Sequence, residues 1–418
     1  MLAALRARDF RLLWIGQTAS VIGDELVIVA IGLYVTRLTG NASDVGLVLA
    51  AYSLPLALFV LFGGVVADRI RRQTLMVISD VIRGTLHGVL AILIATGEVR
   101  IWHMMVIGVL YGTAEAFFRP AYAGLVPQTV PEEDIQAAQA LGGVSAELAV
   151  FASPALATAL VLGVGGAAAF GLDAATFIIS ATLVLRVHAR QRGEEPVPST
   201  MFGDLREGWH AVRERAWVWA TVLCFSLALM TALGPFFVLG ASLAQHLYGT
   251  EAVYGFTNVA WGAGTVTGAL IGSRWRPRHP MRAAMIAAVP WSASLALYGA
   301  GPALWLLYSV TALAGVGIGL FAVWWETALA QRIPPHLLSR VSAWDWMGSL
   351  ALLPAGYLLA GLFARHFGAA HVLIVGGLIG TVACALGLLP RSTRMLTDID
   401  YDMPDADTSP FASRLTVR

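Results

Sequence analysis

Eight acidic side chains stand within or at the ends of apolar stretches: Asp24, Glu25, Asp80, Glu115, Glu147, Asp173, Glu326 and Asp345. An ionised side chain at the centre of a bilayer costs roughly 2.5–3.5 kcal/mol on insertion scales, so eight of them facing lipid is untenable. Each must face protein or water, pair with a base, or carry a proton. The chemistry open to such residues is ion pairing and proton exchange. Asp24 and Glu25 lie about 20 Å into the first apolar stretch, near or somewhat beyond a bilayer midplane. No arginine stands within one helical turn of them in sequence. Adjacent helical residues point about 100° apart, so one of the two faces a central cavity directly. Either could couple protons or bind cargo.

The other charges come at helical spacing. Asp80 and Arg83 are three apart, Glu115 and Arg119 four apart, and each couple can meet on one helix face as a neutralised pair. Arg119 and Glu326 have opposite signs near the inner ends of the fourth and tenth apolar stretches, which makes them a candidate gate. Asp173 is expected to bond within its own half. His87 is a candidate proton relay, although a lone histidine in a bundle is more often simply hydrogen-bonded. Phe236, Phe237, Trp261, Trp324 and Trp325 are candidates to line an apolar cargo cavity, with core packing the alternative for each. Cys224 and Cys384 fall inside apolar segments and give no disulfide or metal signal. No nucleotide-binding, metalloprotease or nucleophile-elbow motif is present. No cofactor is therefore expected, and the energy must come from a gradient.

The elements that position these residues are legible from composition. The chain is 57% apolar and only 13% charged, whereas a soluble domain carries about 25% charged residues. Apolar runs recur along the whole length. Twelve spans are expected, at 11–36, 45–66, 74–97, 101–125, 137–162, 167–187, 217–244, 252–273, 282–300, 304–328, 340–364 and 369–389. Each is long enough to cross a hydrocarbon core about 30 Å thick. All must be helical, because lipid offers no partner to an open strand edge. The first, preceded by basic residues, is expected to remain as a span.

All basic residues are arginine. With both termini on one side of the membrane, that side holds 23 arginines and the other three, Arg37, Arg100 and Arg365, leaving Arg83 within a span. This asymmetry puts both termini in the cytoplasm. The one long loop, 188–216, divides the spans into bundles at 1–187 and 217–390. Phe202, Leu205, Trp209 and Val212 in that loop fall at helical spacing, as in an amphipathic helix lying on the membrane face. The aspartate-rich tail, 391–418, is expected to be disordered. Val126-Pro127-Gln128 and Leu329-Ala330-Gln331, 203 positions apart, each lead into a span and mark a weak internal repeat.

Between spans 2 and 3, Gly63 to Arg72 reads GGVVADRIRR, a tight basic loop with one acid. It resembles the cytoplasmic latch of the major facilitator superfamily, in which Gly, three residues, Asp and a basic residue are followed by further basic positions. Gly64, Asp68, Arg69 and Arg72 match. Arg71 stands where the pattern has a second glycine, and Gln73 where it has a last basic residue. Phe10-Arg11-Leu12-Leu13-Trp14 with Gly23-Asp24, Asp80 with Arg83, Phe117-Phe118-Arg119-Pro120-Ala121 and Leu205-Arg206-Glu207-Gly208 resemble one branch. That branch holds the drug and macrolide efflux pumps and the enterobactin exporter group, the transmembrane secretion effector type. In the superfamily the latch docks near the start of span 11, so Asp345 is expected to contact its arginines.

The resemblance implies an all-α membrane protein of two pseudo-symmetric six-helix bundles, and secondary active transport, not catalysis. The expectation is a monomer in a bacterial inner membrane. It exports an amphipathic or hydrophobic, drug-like small molecule by alternating access and proton antiport, and has no nucleic-acid partner. Siderophore or lysophospholipid cargo is the alternative. A membrane-embedded sensor would need a soluble output module. A lipid-modifying enzyme would need converging His, Asp and Ser groups. The sequence supplies neither.

Overall fold

The structure, a computed structural model, describes residues 2–131, 134–188, 201–275 and 277–396. Among them every regular element is helical. The first half holds α1 (Arg8–Thr39), α2 (Ala42–Arg69), α3 (Arg72–Ala95), α4 (Ile101–Leu125), α5 (Ile135–Gly163) and α6 (Gly166–Val184). A connecting helix, α7 (Met201–Glu214), leads to α8 (Ala216–Ala228), which passes through a π turn at Leu229–Leu233 into α9 (Gly234–Tyr248). Then follow α10 (Ala252–Gly272), α11 (Pro280–Ala300), α12 (Leu304–Arg332), α13 (Pro335–Ala351), α14 (Leu353–Phe367), α15 (Ala369–Leu386) and the short α16 (Arg391–Met395).

Taking α8–α9 and α13–α14 as single crossings gives the twelve spans expected. Eleven are long and apolar enough to cross a membrane. The twelfth, α10, is diluted by Thr257, Asn258 and Thr265, which are buried within the protein. Local chemistry sets the ends. Between α1 and α2, Gly40 takes φ +64°, and the Asn41 side chain accepts a hydrogen bond from the Ser43 amide at 3.1 Å.

The two halves repeat one packing scheme. α2 lies on α4, α3 on α6 and α1 on α6; in the second half α10 lies on α12, α11 on α15 and α8 on α15. The halves meet through α2 with α14 and α5 with α10. Small residues permit the approach: a Cβ on Gly46 would collide with the Tyr357 carbonyl, and one on Gly361 with the Ser43 backbone.

The cores report how the halves are held. At the end away from the termini one apolar core runs through both halves. Leu26, Val48 and Val161 belong to it together with Phe236, Leu239, Tyr254 and Tyr357. At the end that carries the termini there are two cores. Phe10, Leu13, Met76, Phe118 and Leu125 form one; Trp217, Met281, Phe321 and Leu329 form the other. Among the described residues the apolar cores of the halves are thus joined at one end and separate at the arginine-rich end. An ion pair between Arg37, at the end of α1, and Glu251, just before α10, ties them on the joined side.

Two expectations change. α7 does not simply lie on a membrane face. Glu207 pairs with Arg340, Trp209 meets Trp344 at 5.0 Å between ring centroids, and Ala211 and Val212 are buried in the core of the second half. Part of its apolar stripe is taken up by α13, while Trp209 stays 45% exposed. The side chains of Phe202 and Leu205 lie outside the described residues. The chain beyond 390 begins with ordered α16, because Thr393 and Leu396 are buried; residues 397–418 lie outside the described set.

Candidate functional site: a buried charge network in the first half

Asp24 sits midway along α1 and faces Arg83 of α3, its Oδ2 3.5 Å from Nη1. The base that sequence spacing could not supply comes from another helix. Arg83 also donates to Asp80 Oδ1 at 2.8 Å, and Ser180 of α6 donates to Asp80 Oδ2 at 2.7 Å. The guanidinium is fully buried between aromatic faces, 4.2 Å from the Phe118 ring centre and 4.3 Å from that of Phe177. Asp80 and Arg83 are therefore more than a local pair: with Asp24 they form a cluster of two carboxylates and one guanidinium.

A second couple adjoins it. His87 Nδ1 bonds Asp173 of α6, and its Nε2 lies 3.0 Å from the Tyr52 hydroxyl of α2. Tyr111 of α4 joins the two systems. Its hydroxyl donates to Asp24 Oδ1, and its ring stacks on His87 at 4.4 Å and 14°. Gly23 makes room for this: a Cβ there would collide with Asp173 Oδ1. Asp173 does bond within its own half, as expected. Its Oδ1 has no hydrogen-bond partner among the described residues.

Solvent access separates the members. The side chains of Asp80, His87 and Asp173 are 0% exposed and that of Arg83 is 1%, whereas Asp24 keeps 24%. Asp24 is the most exposed member of the network. Glu25 is half-buried on the same turn. With Arg83 charged, the cluster of Asp24, Asp80 and Arg83 carries one carboxylate too many, so a single proton neutralises it.

The latch residues take a definite place. α2 runs through Gly64 and Asp68 to Arg69, so only Ile70 and Arg71 join it to α3; the Asp68 side chain lies outside the described residues. Arg69 is exposed. Arg72 donates to the Gly124 carbonyl at the end of α4 at 2.7 Å, and Gln73 to the Val184 and Val187 carbonyls at the end of α6 at 2.8 and 2.7 Å. Gln73, a departure from the latch pattern, thus satisfies orphan carbonyls at a helix C-terminus. Among the described residues Asp345 bonds to no latch residue. Its oxygens accept from Trp325 Nε1 at 2.9 Å and Ser349 Oγ at 3.4 Å, both in the second half. The indole donor supplies what a latch arginine was expected to supply.

Arg119 pairs with Glu115 at 2.6 Å. Glu326 lies exposed on α12, and Arg119 is exposed on α4. The Glu147 side chain lies outside the described residues. Of the cavity candidates, Phe236 is buried against Tyr254 and Tyr298, Trp324 is buried and donates to the Trp275 carbonyl, and Trp325 is buried beside Trp217 and Phe321. These three are core. Phe237 and Trp261 remain partly exposed.

Sequence reasoning missed Tyr52, Tyr111, Ser180 and the Arg37–Glu251 pair. Only Arg37 carried a signal, as one of three arginines on the sparsely charged side.

Twelve helices in two matching halves fit one known pattern, and comparison with known proteins agrees. The model of the Major Facilitator Superfamily matches residues 13–351. The chain belongs to that superfamily. It is similar to macrolide efflux protein A of Streptococcus pyogenes, 25% identical over 374 residues, 88% of this chain and 92% of the relative. It is also similar to the multidrug efflux pump Tap of Mycolicibacterium fortuitum, 26% identical over 366 residues, 83% and 87% of the two chains. Among solved structures it resembles a bacterial homologue of the human lysosomal transporter Spinster in an inward-facing, unoccupied conformation. That match has a TM-score of 0.71 at 14% identity and covers 93% of this chain and 98% of the other. The nucleoside transporter NupG matches with a TM-score of 0.66 at 13% identity, over 91% and 98%. The superfamily fold is that of a multi-pass membrane transporter, not an enzyme.

Proposed function

We propose that the protein exports an amphipathic or hydrophobic small molecule across a bacterial inner membrane in exchange for protons, with Asp24 as the proton carrier. The observation that supports this reading is the difference in exposure within one charge cluster: the Asp24 side chain keeps 24%, its partners Arg83 and Asp80 1% and 0%. The similarity to efflux proteins supports export of drug-like cargo.

The arginine-rich face is cytoplasmic, so the parted end of the bundle opens inward. In this state ionised Asp24 is held by Arg83 and by the Tyr111 hydroxyl. When access switches outward, a proton on Asp24 removes its attraction for Arg83, which keeps Asp80. The next inward opening releases the proton and restores the pair. Arg119 and Glu326, on equivalent helices of the two halves at the parted end, close the inner gate when the bundle rocks. At about 100 mV each charge moved supplies about 2.3 kcal/mol, enough for roughly a fifty-fold gradient of neutral cargo.

The test is dye efflux in inverted membrane vesicles with and without a protonophore. Proton exchange requires the protonophore to abolish accumulation. Accumulation that persists would remove protons as the driving ion.

A further inference from the structure

We propose that a cavity at the arginine-rich face of the second half binds the phosphate headgroup of an anionic phospholipid. The cavity, about 510 Å³, lies where α11 begins and α15 runs into α16; Arg282, Arg391, Arg394 and His279 line it together with the apolar Ile286 and Leu388. Among the described residues no carboxylate lines it. The side chains of the three arginines have neither ion pair nor hydrogen bond among the described residues. The Nδ1 of His279 is buried with no hydrogen-bond partner among the described residues. α16 carries Arg391 and Arg394, and its backbone is anchored by buried Thr393 and by Leu396 just beyond it.

Guanidinium forks match phosphate oxygens in geometry and charge. A free phosphate would use only the basic side. The other side is apolar and reaches the bundle exterior, where Ile286 and Met395 are 51% and 59% exposed. That combination fits an amphiphile with its phosphate among the arginines and its acyl chains along α11. With the orientation proposed above, the cavity faces the leaflet whose anionic lipids attract such clusters. The binding itself does not depend on proton coupling.

Native mass spectrometry of the full chain in detergent tests this, with dioleoylphosphatidylglycerol, dioleoylphosphatidylcholine and inorganic phosphate as probes. Phosphatidylglycerol should bind in preference to phosphatidylcholine. Replacing Arg282, Arg391 and Arg394 by Gln should weaken it about ten-fold or more, and replacing them by Lys should retain most of it at an unchanged melting temperature. Should the triple Gln variant not fold, Arg282→Gln alone should cost about three-fold or more. Equal binding by wild type and Gln variants would overturn the proposal. So would full displacement by equimolar inorganic phosphate, which would mark a free-anion site. Lipid binding that appears only after truncation beyond Leu396 would assign the cavity to the chain's own aspartate-rich end and also overturn it.

Discussion

Asp24 and Arg83 stand 3.5 Å apart on different helices, and only the carboxylate of the two is partly exposed. Arg83 serves two carboxylates, Asp24 and Asp80, from a fully buried position. That arrangement is asymmetric in a useful way. On the proposed reading the inner pair is shut off from proton exchange, whereas the outer member is open to it. The predictions below follow from this asymmetry and from the way the two halves are joined.

Arg83→Gln should destabilise the fold. It leaves two carboxylates in the bundle with no base, and breaking a buried pair by removing one partner costs about 3–5 kcal/mol. Thermal melting of the purified protein should show a large drop, and adding Asp80→Asn should recover part of it. A variant as stable as wild type would mean that Asp80 and Asp24 are already neutral in the resting protein.

Arg37→Ala should loosen the joined end. The pair is half-exposed on the arginine side, so its worth is within about 1 kcal/mol. The ratio of conformations should then shift toward the outward-open form by at most about five-fold. Spin labels at Thr39→Cys and His246→Cys, on the two sides of that end, should report a larger population at long distance. An unchanged distribution would make the pair a passive surface contact.

Asp68→Asn should cripple turnover without impairing membrane insertion, and Arg72→Ala should do the same by freeing the start of α3 from the Gly124 carbonyl. Cargo affinity in detergent should stay near wild type, because both residues act on the balance of conformations. Normal turnover in either variant at normal expression would remove the latch from the mechanism.

Charge reversal at Arg119 or at Glu326 should each impair export, and the double swap should restore part of it. A double-mutant cycle with coupling above about 0.5 kcal/mol would place the two in contact during the cycle. Strict additivity would confine Arg119 to its partner Glu115.

Much of this was legible in the sequence, and the boundary has a physical basis. Hydropathy and arginine asymmetry gave twelve crossings and their division, because lipid leaves the backbone no alternative to helix. Asp80–Arg83 and Glu115–Arg119 could be read because a helix brings residues three and four apart together. His87–Asp173 and Arg37–Glu251 could not, being 86 and 214 positions apart and brought together only by packing. The partner of Asp24 was hidden for the same reason. Asp345 was assigned to the latch on resemblance, and its real donor, Trp325, lies 20 positions away on α12. Trp324 and Trp325 were ambiguous because an aromatic residue suits a core as well as a cavity.

The most direct measurement is uphill dye efflux by Asp24→Asn in proteoliposomes with an imposed proton gradient, alongside Glu25→Gln and wild type. Asp24→Asn should lose concentrative efflux while retaining downhill exchange of the same dye, and Glu25→Gln should keep protonophore-sensitive accumulation. If Asp24→Asn still concentrates the dye and a protonophore still abolishes that accumulation, Asp24 is not the proton carrier.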